Sequence, residues 1–479
     1  MSLFKPKEAW ARSAPRVRLE RFARQDDGSI TILVIFMIMM MVMVGGIQID
    51  FMRHEMERAR LQAMADRAAL AAADLDQKID GELVVKEYFA KAGMSNYLIK
   101  AHELPGLNFS TVTVDAGFDM KTQFLGRFGF DTLKVSVRSQ AEERVENVEI
   151  SLVLDISGSM ADNDRLTEMQ KAAKKFVDIV LKDDNEDLIS VSLIPYSEQV
   201  NAGPLLLNRM KVDYTHNYSH CLEFDDSDFT KTNWEPSKYY TQMQHFQWNY
   251  SGPNAMTDTV CPRYSYERIL PFSQNKTALK TQIESLKPRA GTQIFLGMKW
   301  ATMLLDPSYN PVVKSLTVVP EGSSAYTQPE VDKAFENRPG SYTDIETLKT
   351  IVLMTDGENS STQRISSRYY ANDSHYVHWS KYNLNWYLYN YVNSWDRKSF
   401  YWQKYDKWRG DQLLADMCSA AKAKHIVIWS VGFEVTDNGA EVMKKCASSP
   451  SHFFRVEGVE LSEAFSAIAS QINQLRLTQ

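Results

Sequence analysis

The chain has 479 residues, 44% of them hydrophobic and 24% charged, so it is long enough for two or three domains and can bury a sizeable core. Fifty-four Lys and Arg stand against 60 Asp and Glu, a formal net charge of −6. That balance argues against a nucleic-acid partner, which demands concentrated positive charge to displace phosphate counterions.

In chain order, residues 1–28 read as a basic arm. Between Asp27 and Asp50 follow 22 residues without a charge, GSITILVIFMIMMMVMVGGIQI. A helix rising about 1.5 Å per residue crosses a hydrocarbon core of about 30 Å with such a run, so residues 29–49 are expected to form one transmembrane helix. A cleaved signal peptide is the rival reading, but its apolar region is normally shorter and ends at a small-residue cleavage site. Here the apolar run continues directly into FMRHEMERARLQ, which favours an uncleaved anchor. Lys5, Lys7, Arg12, Arg16, Arg18, Arg21 and Arg24 precede the span, whereas only Arg53, Arg58, Arg60 and Arg67 follow it. The excess of positive charge places the N-terminus in the cytoplasm and the bulk of the chain outside it, with membrane lipid touching the span and the arm.

Residues 50–80 are expected to continue as an Ala-rich helical stalk, with seven Ala between Ala63 and Ala73 and no Pro from Ser29 to Ile79. One helix, hinged at Gly45-Gly46, is expected to run through both stretches. Its small residues suit either neighbouring helices or the chain's own folded part. The order of a basic arm, Gly28, the apolar span, Asp50 and Arg-Leu-Gln before an Ala-rich helix resembles the N-terminal region of TadE/TadG-like Flp/Tad pilus-assembly proteins. The resemblance implies a bacterial inner-membrane, single-pass protein. Leu33 stands where pilin-like relatives carry Glu, which speaks against processing by a prepilin peptidase. Residues 81–146 then read as a small β-containing module, because FSTVTVDAGF and TLKVSVRSQA alternate and are rich in Thr and Val.

From residue 147 to 477 strand and helix patterns alternate. EISLVLD reads as a buried strand, RLTEMQKAAKKFVDIVL as an amphipathic helix, and the pattern repeats through DLISVSLIPY, TIVLMTD, DQLLADMCSAAKA, HIVIWSVGFEV and LSEAFSAIASQINQL. The expected fold class is α/β, a mainly parallel, Rossmann-like sheet flanked by helices. At the end of the first strand stand Asp155, Ser157 and Ser159, spaced D-x-S-x-S. In such sheets ligands gather beyond the carboxyl ends of strands. Two hydroxyls and a carboxylate are hard donors, suited to Mg²⁺, Mn²⁺ or Ca²⁺ and poor for Zn²⁺. Thr292 in AGTQI and Asp356 in LMTDGE complete a set that resembles the metal-ion-dependent adhesion site, or MIDAS, of von Willebrand factor A domains. That resemblance implies direct ligation by Ser157, Ser159 and Thr292, with Asp155 and Asp356 acting mostly through water. It also implies a coordination position left open for a carboxylate from a protein partner. Mg²⁺ is the expected ion, with Ca²⁺ or Mn²⁺ as alternatives. The C-terminal stretch and MKWATMLLDP also resemble TadG proteins carrying this domain.

Two insertions lengthen the domain, at about 208–268 and 360–408. In the second, fifteen of the forty residues from Tyr369 to Trp408 are Tyr, Trp or Phe. Large rings dominate binding hot spots, so Trp379, Trp386, Trp395 and Trp402 are candidates for a partner- or glycan-binding surface overhanging the metal face, with a self-packed subdomain as the alternative. Four cysteines, Cys221, Cys261, Cys418 and Cys446, all follow the span. In an oxidising compartment they allow three disulfide connectivities, of which Cys221–Cys261 with Cys418–Cys446 is the expected one. No H-E-x-x-H, P-loop or G-x-S-x-G motif is present, and His375 and His378 read as ordinary loop histidines, so no enzyme is expected. The sequence therefore points to a membrane-anchored pilus-assembly component with a cation-dependent A domain. The alternative is an envelope adhesin or receptor outside any pilus machine.

Overall fold

The computed structural model describes residues 27–74, 79–105, 109–144, 147–182, 187–248, 253–319, 329–344 and 346–478. Most of the basic arm, including its seven cationic side chains, lies outside them. The chain divides into two compact units, Met1–Arg144 and Val145–Gln479.

In the first unit, helix α1 (Asp27–Ala73) runs for 47 residues through Gly45 and Gly46 as one helix, so the expected hinge is not a break in it. It ends at Ala73, short of Ile79. Its part from Ile30 is long and apolar enough to cross a membrane, and it is the one such helix among the described residues. Helix α2 (Gly81–Lys91) follows, opened by the Asp80 carboxylate, which accepts the Leu83 N–H. Strands β1 (Leu98–Pro105), β2 (Phe109–Lys121) and β3 (Thr132–Arg144) then form an antiparallel sheet in the order β1-β2-β3. The Ala-rich half of α1 is not a bare stalk. Leu61, Ala65, Ala68, Ala69 and Ala72 are buried against Val112, Val114, Ala116, Val135 and Val137 of the sheet. Their small side chains let the helix backbone approach closely, and the alternate Val and Ala residues of β2 and β3 supply the facing apolar surface.

Asp50 fastens the other end of this contact. Its carboxylate accepts three successive backbone N–H groups, from Gln123 at 2.9 Å and from Phe124 and Leu125 at 2.8 Å each. The Phe124 ring lies on Gly46, where a Cβ would sit 2.4 Å from its Cδ1. Only a glycine fits there.

The second unit is a six-stranded sheet between two helical layers. Its labelled elements are β4 (Asn147–Asp155), α3 (Arg165–Val180), β5 (Ile189–Tyr196), β6 (Leu270–Ser273), α4 (Lys276–Ser285), α5 (Ile294–Leu305) and β7 (Thr347–Thr355). After the hairpin strand β8 (Thr362–Ile365) come helices α6 (Asp373–Trp379) and α7 (Leu384–Tyr391) and the second hairpin strand β9 (Tyr401–Tyr405). The chain finishes with α8 (Lys407–Lys422), β10 (Val427–Phe433), α9 (Asp437–Cys446), β11 (Phe453–Val456) and α10 (Glu460–Thr478). The sheet order is β11-β10-β7-β4-β5-β6, parallel throughout except for the antiparallel edge strand β6. Alternate strand residues serve opposite layers. Ile351 and Leu353 pack with α5 and α8, whereas Val352 and Met354 pack with α3 and α10. This is the expected doubly wound α/β fold.

The two insertions, far apart in sequence, build one subdomain. Cys221, Met243, Phe246, Val260 and Cys261 from the first share a core with Ile365, Trp379, Leu384 and Leu388 from the second. Strands β8 and β9 pair antiparallel at its base. Both expected disulfides form, Cys221–Cys261 with Cα atoms 5.9 Å apart and Cys418–Cys446 with 5.1 Å.

Candidate metal centre

Register delivers the two acids to one place. In the parallel pair β4–β7, Leu154 stands opposite Met354, so Asp155 ends one strand level with Thr355 on the other, and Asp356 follows immediately. On the other side Asp155 is level with Tyr196 of β5. Asp155 is fully buried, and its oxygens are already engaged. Oδ1 accepts the Ser157 N–H at 2.7 Å, while Oδ2 accepts the hydroxyls of Thr355 at 2.7 Å and Tyr196 at 3.3 Å. It shapes the turn that carries the serines.

The turn is tied to the Thr292 loop by backbone bonds from Gly158 N to Ala290 O at 3.0 Å and from Arg289 N to Ile156 O at 2.8 Å. Ser157 Oγ and Ser159 Oγ lie 3.1 Å apart, and the Ser157 side chain caps no helix. Ser159 Oγ donates to Asp356 Oδ1 at 2.8 Å. Ser360 holds Thr292 by its backbone: its Oγ accepts Thr292 N at 2.8 Å and its N–H donates to Thr292 O at 2.9 Å. A Cβ placed on Gly357 would lie 3.8 Å from Ser159 Oγ and 4.0 Å from Thr292 Oγ1. Three separated loops thus bring hydroxyls and carboxylates around one small space.

Two acids in so dry a place repel. Burial and the neighbouring Asp356 push Asp155 up to about 7, and burial raises Asp356 as well. A second carboxylate layer lies just outside. Arg165, the first residue of α3, donates from Nη1 to Asp356 Oδ2 at 3.0 Å and from Nε to Glu434 Oε2 at 2.8 Å. Arg165 and Glu434 had no motif to announce them, since they meet across 269 residues. Among the described residues no group of three or more His, Cys, Asp and Glu forms a ligand-like cluster, so a cation here would depend on the hydroxyls. The donor set fits a hard divalent ion: two acids whose charge burial penalises, and three hydroxyl oxygens beside them.

The aromatic insertion meets the site's loops through Ser360 and through Thr362, whose hydroxyl donates to the buried Glu198. Glu198 also accepts Trp248 Nε1 at 3.2 Å, and Asp258 Oδ1 accepts Ala290 N at 2.8 Å, so both insertions border the site. The four tryptophans divide. Trp379 is only 2% exposed, with its Nε1 bonded to Tyr369 O at 2.7 Å, so it is a core ring and is withdrawn from any partner. Trp386 is half-buried and stacks on Tyr382. Trp395 and Trp402 face solvent, 93% and 50% exposed. His375 caps its own turn by accepting Ala371 N, and His378 packs among Trp379, Tyr382 and Tyr387.

Residues 28–75 match the family model described as Flp pilus-assembly TadE/G-like. Among solved structures, the chain is similar to the von Willebrand factor domain of the type V pili tip protein Mfa5 from Porphyromonas gingivalis. That match has 14% identity and a TM-score of 0.36, covering 70% of this chain and 98% of that one. The pilus adhesin SpaC from Lactobacillus rhamnosus GG matches with 13% identity and a TM-score of 0.31 over 79% of this chain and 34% of that one. Proximal thread matrix protein 1 from the mussel byssus, with a zinc-occupied MIDAS motif, matches with 12% identity and a TM-score of 0.28 over 68% of this chain and 46% of that one. This chain therefore spans about a third of the SpaC structure's length. No curated protein sequence matches. The polypeptide carries a segment, residues 28–75, that is similar to the Flp pilus-assembly TadE/G-like family, followed by a doubly wound α/β domain.

Proposed function

We propose that this chain is a membrane-anchored component of a Flp/Tad pilus system whose A-type domain captures a protein partner through a divalent cation. The anchor sits in the bacterial inner membrane with its N-terminus in the cytoplasm, and the A-type domain works on the far side. Ser157, Ser159 and Thr292 would hold the ion directly, with Asp155 and Asp356 behind them. Once bound, the ion supplies a positive centre with a coordination position for a partner's Asp or Glu side chain. Asp155 keeps the serine turn in shape through Ser157 N, and Ser360 fixes Thr292 by its backbone. Arg165 holds one oxygen of Asp356 and leaves the other to Ser159. The work is binding, not bond cleavage.

The observation that carries this reading is the meeting of Ser159, Thr292 and Asp356 around Gly357 from three loops. The test is crosslinked capture from the native envelope with Mg²⁺ or EDTA, comparing the wild type with Ser157→Ala/Ser159→Ala. Pilus-system proteins recovered only by the wild type in Mg²⁺ support the proposal. Equal recovery in all four samples rejects it, and recovery of envelope proteins unrelated to a pilus favours a free-standing adhesin.

A further inference from the structure

The subdomain shared by the two insertions contains a cleft of about 460 Å³. One wall comes from the first insertion, residues 223–244, and the other from the second, residues 364–404. Each insertion contributes one exposed ring to it: Tyr239, 63% exposed, and Trp402, 50% exposed. The walls are clamped together. Gln244 Oε1 accepts Ile365 N at 2.8 Å, and its Nε2 donates to Ile365 O at 2.9 Å. The Cys221–Cys261 disulfide staples the strand that carries Glu223.

The charged groups lining the cleft are already matched to one another. Glu223 takes ion pairs from both Arg364 and Lys404. Burial opposes charge on Glu223, and the two cations overcome it and hold its carboxyl below the usual range. Lys238 bridges Asp225 at 2.8 Å and Asp228 at 2.7 Å. A strongly acidic or basic peptide would have to break these pairs to gain its own, and an apolar peptide would strip water from them without compensation. A neutral polyhydroxylated ligand does neither. The C–H faces of its rings can lie on Tyr239 and Trp402, while its hydroxyls bond to side chains held still by their own pairs.

We propose that this cleft binds a neutral oligosaccharide, independently of the cation site. The inference goes beyond the proposed pilus role and does not need it.

The full chain in nanodiscs would be applied to an array of neutral and acidic glycans. Each hit would then be titrated by calorimetry as the free hexasaccharide. Saturable binding to a neutral glycan is expected, unchanged by EDTA and by Ser157→Ala/Ser159→Ala, so its failure and the failure of cation-dependent capture are separate results. Trp402→Ala and Tyr239→Ala are each expected to weaken binding about tenfold or more. Trp402→Phe should retain most of it, and Trp395→Ala, outside the cleft, should change it by no more than about twofold. Circular dichroism would confirm that each variant is folded. Retention of acidic glycans alone, no retained neutral glycan, or equal weakening by Trp395→Ala would overturn the proposal. So would preferential capture of a peptide at Trp402.

Discussion

Asp50 in the N-terminal unit and the Asp155–Asp356 pair in the second unit are all withdrawn from solvent, but they are answered differently. Asp50 receives three backbone N–H donors from one loop, so the protein alone meets its charge. Asp155 is held by the Ser157 N–H and the hydroxyls of Thr355 and Tyr196, and Asp356 by the Ser159 hydroxyl and Arg165, with each acid's charge close to the other. A carboxylate satisfied by fixed amides is a fastening. Two neighbouring carboxylates with hydroxyls beside them that can turn their oxygens outward are the arrangement proposed to receive an ion.

The largest effect is expected at the fastening. Asp50→Ala removes the acceptor of three N–H groups at once, so residues 79–144 should lose their protease resistance while the second unit keeps its own. Limited proteolysis followed by mass spectrometry reads both, and equal resistance in mutant and wild type would erase the distinction. Next comes the ion. If the proposed site binds the ion, Mg²⁺ at about a hundred times its dissociation constant should stabilise the wild-type second unit by about 2.7 kcal/mol in thermal unfolding. Ser157→Ala/Ser159→Ala should show almost none of that gain, and Asp50→Ala should show all of it within the second unit.

The third test is pH. The folded-state value of about 7 for Asp155 lies above its ordinary 3.8, so between these values the folded protein holds a proton that the unfolded chain has released. The contribution is therefore fully present below about pH 4 and is lost as pH rises through about 7. In EDTA the second unit should resist denaturant better at pH 5 than at pH 8, by about 2 kcal/mol. Added Mg²⁺ should reverse the order, because it favours the charged carboxylates. The smallest effect belongs to Arg165→Gln, which leaves Asp356 and Glu434 without their shared cation. It should cost about 1 kcal/mol in EDTA and less in Mg²⁺, and an equal loss in both would mean that Arg165 only braces α3.

The α/β core was legible because each strand and helix announces itself locally: VEISLVLD and TIVLMT as apolar runs, RLTEMQKAAKKFVDIV by its period. Asp155, Ser157, Ser159 and Asp356 stand at the ends of those strands and in the turns after them, whereas Thr292 lies in the loop between α4 and α5, and the fold brings these three loops together. What stayed hidden depends on contacts distant in sequence. Asp50 looks like the edge of an apolar run until the Gln123–Leu125 loop arrives on it. Arg165 looks like an ordinary first-turn residue until Glu434 and Asp356 flank it. The rings of the second insertion suggested a surface, but composition cannot say which side of a ring faces in. Trp379 went into the core with Met243 and Phe246 of the first insertion, while Trp402 stayed out. The two insertions needed each other, and nothing in either one says so.

The unbroken course of α1 has a mechanical consequence. Its apolar half and the half that carries β2 and β3 are one rod of about 70 Å, with Gly46 pressed under Phe124 where flexibility would otherwise be expected. Inserted in a bilayer, such a rod couples the lean of the span to the lean of the sheet, so a thinner membrane would swing the whole N-terminal module by the same angle. A tug on that module loads the span along its axis, where some twenty apolar residues resist extraction together, rather than bending a tether.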